Sequence, residues 1–102
     1  MSDPAAKARR EVVVVQREGL HARPVMRFVE LACRFQSRIV VINTSRRGEK
    51  IDGKSPMNMM LLEATQGCVL RIEAVGEDAE AAVTALAALV ESGFADDEPK
   101  DK

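Results

Sequence analysis

The sequence predicts an α+β fold. It is an open-faced β-sandwich in which a four-stranded, mainly antiparallel sheet carries three helices on one face, in the order βαββαβα. Three observations predict it. Short β-branched or alternating apolar segments, at Val12–Val15, Ile39–Ile42 and Cys68–Val75, have the character of strands. Apolar residues recur at helical spacing from Val25 and again from Ala79, and Ser55-Pro56 announces a further helix. Strands and helices interleave, but two strands follow each other in the middle and break a strict βαβ rhythm.

The elements follow in order. Residues 1–10 are small and charged, contain Pro4, and read as a flexible lead-in. Val12–Val15 is a continuous β-branched run, the mark of a buried strand. After a break at Arg17–Leu20, Val25, Phe28, Val29, Ala32 and Phe35 form a helical stripe. Arg27, Glu30 and Arg34 lie off it, with Glu30 placed to pair with Arg34. Ile39–Ile42 is the second strand, Asn43–Gly48 a polar turn, and Lys50–Asp52 a short third strand. Ser55 caps the second helix, which runs to about Thr65 and is stopped by Gly67. In Cys68–Val75, Leu70, Ile72 and Ala74 point one way and Val69, Arg71 and Glu73 the other. Asp78 caps the last helix, whose stripe is Ala79, Ala82, Val83, Leu86 and Val90, and Gly93 ends it. The folded domain spans 11–94, and 95–102 is a charged tail.

Composition narrows the function. A chain of 102 residues holds one modest core. Its net charge of −1 and its three aromatic residues, all Phe, argue against nucleic acid as a partner. No apolar run reaches the roughly 18–20 residues of a membrane span, and the N-terminus lacks the apolar stretch of a signal peptide. A cytoplasmic protein is expected. Cys33 and Cys68 read as reduced thiols, small and buried, with a disulfide between them as the alternative.

The informative segment is Gly19-Leu20-His21-Ala22-Arg23-Pro24. Gly19 permits a sharp turn after the strand. Pro24 suits a first helical turn but disfavours helical geometry at Arg23, so the helix starts near Ala22 or at Pro24. Either start places His21, the only histidine, at a helix N-terminus. The N–H groups of Ala22 and Arg23 have no helical partners there and can receive an anion. Arg23 can reach the oxygens of a transferring phosphoryl group, whose transfer asks chiefly for positioning and charge stabilisation. No second His or paired Cys completes a metal set, no Ser–His–Asp pattern is visible, and no Gly-rich nucleotide loop appears. Neither a metal nor a cofactor is expected.

At these six residues the sequence resembles the HPr family, the phosphocarriers of the bacterial phosphoenolpyruvate-dependent phosphotransferase system. Gly53-Lys54-Ser55 resembles the family's second signature, and Gly67 and Gly76-Glu77-Asp78 also fall where the family has them. The resemblance spans about Glu11 to Phe94. It implies that enzyme I phosphorylates His21 on Nδ1, that Arg23 helps neutralise the phosphoryl group, and that a IIA protein receives it. It implies a stoichiometric carrier rather than an enzyme, and nothing in the sequence demands more than a monomer. Ser55 corresponds to the family's regulatory serine, a target of a dedicated kinase and phosphorylase in some bacteria.

Three features depart from the family. Glu18 stands where a small polar residue, often Asn, is usual, and it sets a negative charge beside the histidine. Pro56 and Asn58 replace the usual residues around the serine. The lead-in is longer.

The second helix holds Met57, Met59, Met60, Leu61 and Leu62, more apolar residues than one stripe can bury, so some face outward. By the resemblance, Met57 and Met60 belong to the surface that meets enzyme I and IIA proteins. They are expected to be exposed and Leu62 buried. Arg27, one turn from Arg23, can join a basic rim or simply lie on a solvated face. Alternative functions are a regulatory, nitrogen-type branch of the same system and a protein-binding module without phosphotransfer. A small-ligand domain would need an apolar pocket that nothing in the sequence indicates.

Overall fold

The computed structural model describes residues 6–46 and 48–94. Among them the elements are β1 (Lys7–Val13), α1 (Ala22–Ala32), β2 (Arg38–Asn43), β3 (Lys50–Asp52), α2 (Pro56–Met60), β4 (Val69–Val75) and α3 (Ala79–Glu91). This is the predicted βαββαβα order. The strands form one sheet in the order β1-β4-β2-β3, and every neighbouring pair is antiparallel. No helix of the described residues is long and apolar enough to cross a membrane.

Pairing register decides which residues share a face. Leu70 lies opposite Val12 and Asn43, Ile72 opposite Arg10 and Val41, and Ala74 opposite Ala8 and Ile39. Leu70, Ile72, Ala74, Val12, Ile39 and Val41 are buried under the helices. The other face carries Arg71, whose guanidinium is 3.4 Å from Glu11 and 3.8 Å from Glu73. The alternation along β4 therefore separates core from surface as expected. On the helix side, α1 buries Val25, Phe28, Val29 and Ala32, and α3 buries its predicted stripe together with Ala87 and Leu89. Removing a core side chain as large as Phe28 would cost about 3–5 kcal/mol.

Several boundaries differ from the sequence expectation. β1 starts at Lys7, so residues 7–10 belong to the sheet and not to a flexible lead-in. Their small and charged composition hid a strand held by backbone pairing to β4. Residues 1–5 and the tail at 95–102 lie outside the described residues. The Val12–Val15 run is not buried on both faces. Val12 and Val14 face the core, whereas Val13 and Val15 are each 46% exposed, because β1 is an edge strand covered on one side only.

The helices also differ. α1 ends at Ala32, and Phe35 lies beyond it, half-buried. Glu30 lies 3.8 Å from Arg27, on the preceding turn. α2 stops at Met60, five residues short of Thr65. Leu61 and Leu62 donate to Asn58 and Met59 three residues back, a tightening last turn, and Glu63 then takes a positive φ of 51°. Gly67 thus plays no part in ending α2. Cys33 is exposed beside the end of α1, contrary to expectation, while Cys68 is buried, and both thiols are free.

Asp78 precedes α3 but makes no side-chain capping bond. Its carboxylate instead accepts hydrogen bonds from Ser37 Oγ (2.6 Å), Gln36 N (2.8 Å) and Ser37 N (3.0 Å), clasping the α1–β2 connection to the start of α3. The Ser37 hydroxyl, then the Gln36 N–H, hold this carboxyl below its ordinary value. A depressed carboxylate pKa stabilises the fold above its unfolded value, and that stability is lost as pH falls through the folded one. Asp78→Asn is therefore expected to lower the urea midpoint at pH 7. The gap from the unaltered protein should close as pH drops below about 4. A gap that stays constant from pH 7 to pH 3 would contradict the clasp.

Candidate functional site

The β1–α1 connection brings the histidine segment to one end of the sheet, beside the segment that follows α2. Gly19 is central to that junction. It has a φ of +72°, and a Cβ there would lie 2.5 Å from the Ala64 carbonyl oxygen and 3.0 Å from Thr65 Cα. Both obstacles are backbone, so only glycine lets the two segments lie this close. The Gly19 N–H donates to Gln16 O at 3.0 Å, and the Leu20 N–H donates to Ala64 O at 2.9 Å. Leu20 is buried in the core cluster. The residue before the histidine is thus pinned by one hydrogen bond and one buried side chain.

His21 is the N-cap of α1, with extended backbone at φ −100° and ψ −166°. The helix begins at Ala22, which resolves the choice between Ala22 and Pro24. The His21 carbonyl accepts the Val25 N–H at 3.0 Å, and its ring makes no capping bond. Pro24, the third helical residue, has no N–H. The N–H groups ahead of the first helical bond are therefore those of Ala22 and Arg23. Ala22 and Arg23 are exposed, and α1 has no acidic residue in its first turn. That leaves the positive end of the helix dipole uncompensated by its own side chains.

The imidazole is 47% exposed, and its Nε2 lies 3.5 Å from Glu18 Oε1. Arg27 is half-buried. It lines a shallow groove with Glu30, Leu31, Arg34 and Leu89 of α3.

The other expected site residues lie on and before α2, which packs against α1. Ser55 is half-buried and caps α2 by accepting the Asn58 N–H on Oγ at 3.2 Å. Met57 is 81% exposed, Leu61 65% and Met60 45%, while Met59 and Leu62 are buried. The expectation of exposed Met57 and Met60 with buried Leu62 matches this arrangement. α1 adds Met26, 44% exposed. Sequence reasoning missed Ala64 and Thr65 as the surface against which Gly19 turns. Their only signal was a glycine two residues before the histidine, which says a close approach exists but not to what.

A family model described as "PTS HPr component phosphorylation site" matches residues 8–92. The chain is 39% identical over 87 residues to the phosphocarrier protein HPr of Xylella fastidiosa (strain 9a5c), covering 85% of this chain and 94% of that protein. It is also 39% identical over 88 residues to the phosphocarrier protein NPr of Proteus mirabilis, covering 86% and 96%. Among solved structures, it is similar to the phosphocarrier protein HPr from Bacillus anthracis str. Ames, with a TM-score of 0.76 and 38% identity, covering 83% of this chain and 98% of that one. A second similar structure, HPr from Thermoanaerobacter tengcongensis, has a TM-score of 0.80 and 36% identity, covering 91% and 99%.

The Gly19 junction gives a direct expectation. Gly19→Ala must relieve both a backbone clash and a positive φ, and should cost about 1–3 kcal/mol in urea unfolding. Backbone amide shifts should move at residues 18–22 and 63–66 together. A variant as stable as the parent would mean that the two segments are not in this contact.

Proposed function

The chain belongs to the HPr family of phosphotransferase-system phosphocarriers, and from that premise we propose that His21 is the residue that carries the phosphoryl group. The observation that supports this most is its seat as the exposed N-cap of α1, ahead of a first turn that carries no acidic residue. The donor is a phosphohistidine on enzyme I, itself charged by phosphoenolpyruvate. The Nδ1 lone pair of His21 attacks phosphorus, a P–Nδ1 bond forms, and the donor's P–N bond breaks. The Ala22 and Arg23 N–H groups and the Arg23 guanidinium offset charge on the phosphoryl oxygens. The group then passes to a IIA protein by the same exchange in reverse, so the chain acts stoichiometrically, once per transfer.

Sugar uptake is the first reading of the pathway. The regulatory, nitrogen-type branch is the second, favoured by an identity to the NPr protein as high as that to HPr. Ser55 is a candidate for regulatory phosphorylation by a serine kinase. Its hydroxyl is half-buried and engaged as the α2 cap, so a phosphate there would exchange one capping acceptor for a stronger one and add charge beside the methionines. Met57 and Met60 form the centre of the docking face for enzyme I and IIA proteins, with Arg27 at its margin.

Incubation with phosphoenolpyruvate and catalytic enzyme I should add one acid-labile phosphoryl group to the intact mass, and none to His21→Ala. Arg23→Ala should slow that uptake on the order of tenfold, the loss of one charge-stabilising group at an open site. No mass gain with enzyme I from the same organism would reject the carrier reading.

Met57→Glu should weaken binding to enzyme I about tenfold, as loss of an apolar anchor does. Its circular dichroism should be that of the parent, since the side chain is 81% exposed. Undiminished affinity would remove Met57 from the docking face.

A further inference from the structure

One charged group stands against the histidine and has no part in the relay as described above. Glu18 Oε1 lies 3.5 Å from His21 Nε2, and the two side chains are 78% and 47% exposed. We infer that Glu18 is a positioning residue for His21: it holds the ring proton on Nε2 and eases departure of a phosphoryl group from Nδ1. This rests on the reading that His21 carries the phosphoryl group on Nδ1.

The two ring nitrogens of His21 are chemically distinct. A neutral imidazole has one N–H and one lone pair, and a carboxylate can only accept. A carboxylate beside Nε2 therefore selects the Nε2–H tautomer and leaves the lone pair on Nδ1. The junction beneath supports the geometry, because Gly19 and Leu20, the residues between Glu18 and His21, are both hydrogen-bonded through their N–H groups.

Charge acts at the second stage. Once Nδ1 bears a phosphoryl group, a ring still protonated on Nε2 is a cation. It leaves as neutral imidazole, whereas a deprotonated ring would have to leave as an anion. In hydrolysis, water oxygen bonds to phosphorus, the P–Nδ1 bond breaks, and its electron pair stays on Nδ1. The ring keeps its Nε2 proton and the water protons depart with phosphate. A carboxylate 3.5 Å from Nε2 can only accept, so it holds the ring proton at that nitrogen. The other charged residues on this loop and first turn, Arg17 and Arg23, are positive, and Ala64 and Thr65, packed against Gly19, are not ionisable. Glu18 is the anion of this group.

The test separates tautomer from charge. In ¹⁵N-labelled, unphosphorylated protein at a pH where the ring is neutral, the parent should show His21 in the Nε2–H form, and Glu18→Ala should raise the Nδ1–H fraction. In the phosphorylated protein at pH 7, freed of enzyme I, Glu18→Ala and Glu18→Gln should both lose phosphate about two- to fivefold more slowly than the parent, the scale of an exposed ion pair. An unchanged tautomer population in Glu18→Ala, or hydrolysis rates equal to the parent in both variants, would overturn the inference. Failure of the parent to accept a phosphoryl group would instead overturn the underlying reading, and the tautomer measurement does not depend on it.

Discussion

The placement of β4 between β1 and β2 is the constraint on which the rest depends. β4 is the last strand in sequence and the most deeply shared in space, pairing with β1 along seven residues and with β2 along six. Both neighbours are antiparallel to it, so they run parallel to each other with a strand's width between them. The chain must therefore cross that width after β1, and α1 lies in that connection, packed against α3, which itself covers β1 and β4. One consequence is energetic. α1 and α3 cover the same apolar face, and a sheet of four strands becomes a closed core without a second sheet. The other is positional, since a crossover helix must begin where β1 ends, at one end of the sheet.

That position alone would leave the histidine on an ordinary surface loop. Backbone packing makes it a defined site. Segment 19–20 is held on segment 64–65 through the Leu20–Ala64 hydrogen bond, and Gly19 permits the approach. The end of α2 is held in turn by the buried Asn43, whose amide donates to Leu62 O at 3.0 Å. β2, the α2–β4 connection and the start of α1 are thus linked by hydrogen bonds to backbone that owe nothing to exposed side chains. The ring of His21 stays open to solvent while the backbone that carries it is fixed.

Much of this was legible in the sequence, for identifiable reasons. The element order and the two faces of β4 follow from apolar periodicity, which is local. The site segment follows from the joint occurrence of Gly19, His21, Arg23 and Pro24, each with a distinct demand on a strand-to-helix turn. What escaped is tertiary. Lys7–Arg10 carries no apolar pattern, and its strand exists because β4 offers a free edge. Leu61 and Leu62 continue an apolar run, yet the helix turns off at Met60 because Asn43 captures the Leu62 carbonyl and Glu63 adopts a left-handed backbone. Asp78 has the composition of a cap but bonds to Ser37 and Gln36, 41 and 42 residues away in the chain. The exposure of Cys33 reflects where α1 ends, a boundary its composition does not mark.

The shortness of α2 bears on the methionines. Five residues cannot hold a helix in water by themselves, since nucleation consumes nearly all of its hydrogen bonding. α2 persists because Ser55 caps it, Pro56 presets its first turn, and Met59 and Leu62 sink into the core. Lys54 Nζ, bonded to Phe35 O at 2.7 Å, ties the preceding turn to the segment that follows α1. With anchoring confined to those residues, Met57, Met60 and Leu61 contribute little to the fold and are free to be apolar and exposed. Flexible, unbranched methionine makes such a patch adaptable, so partners of different shape can be met by rotamer changes on a fixed backbone. A short, externally held helix can therefore carry an apolar surface whose side chains are not needed for stability.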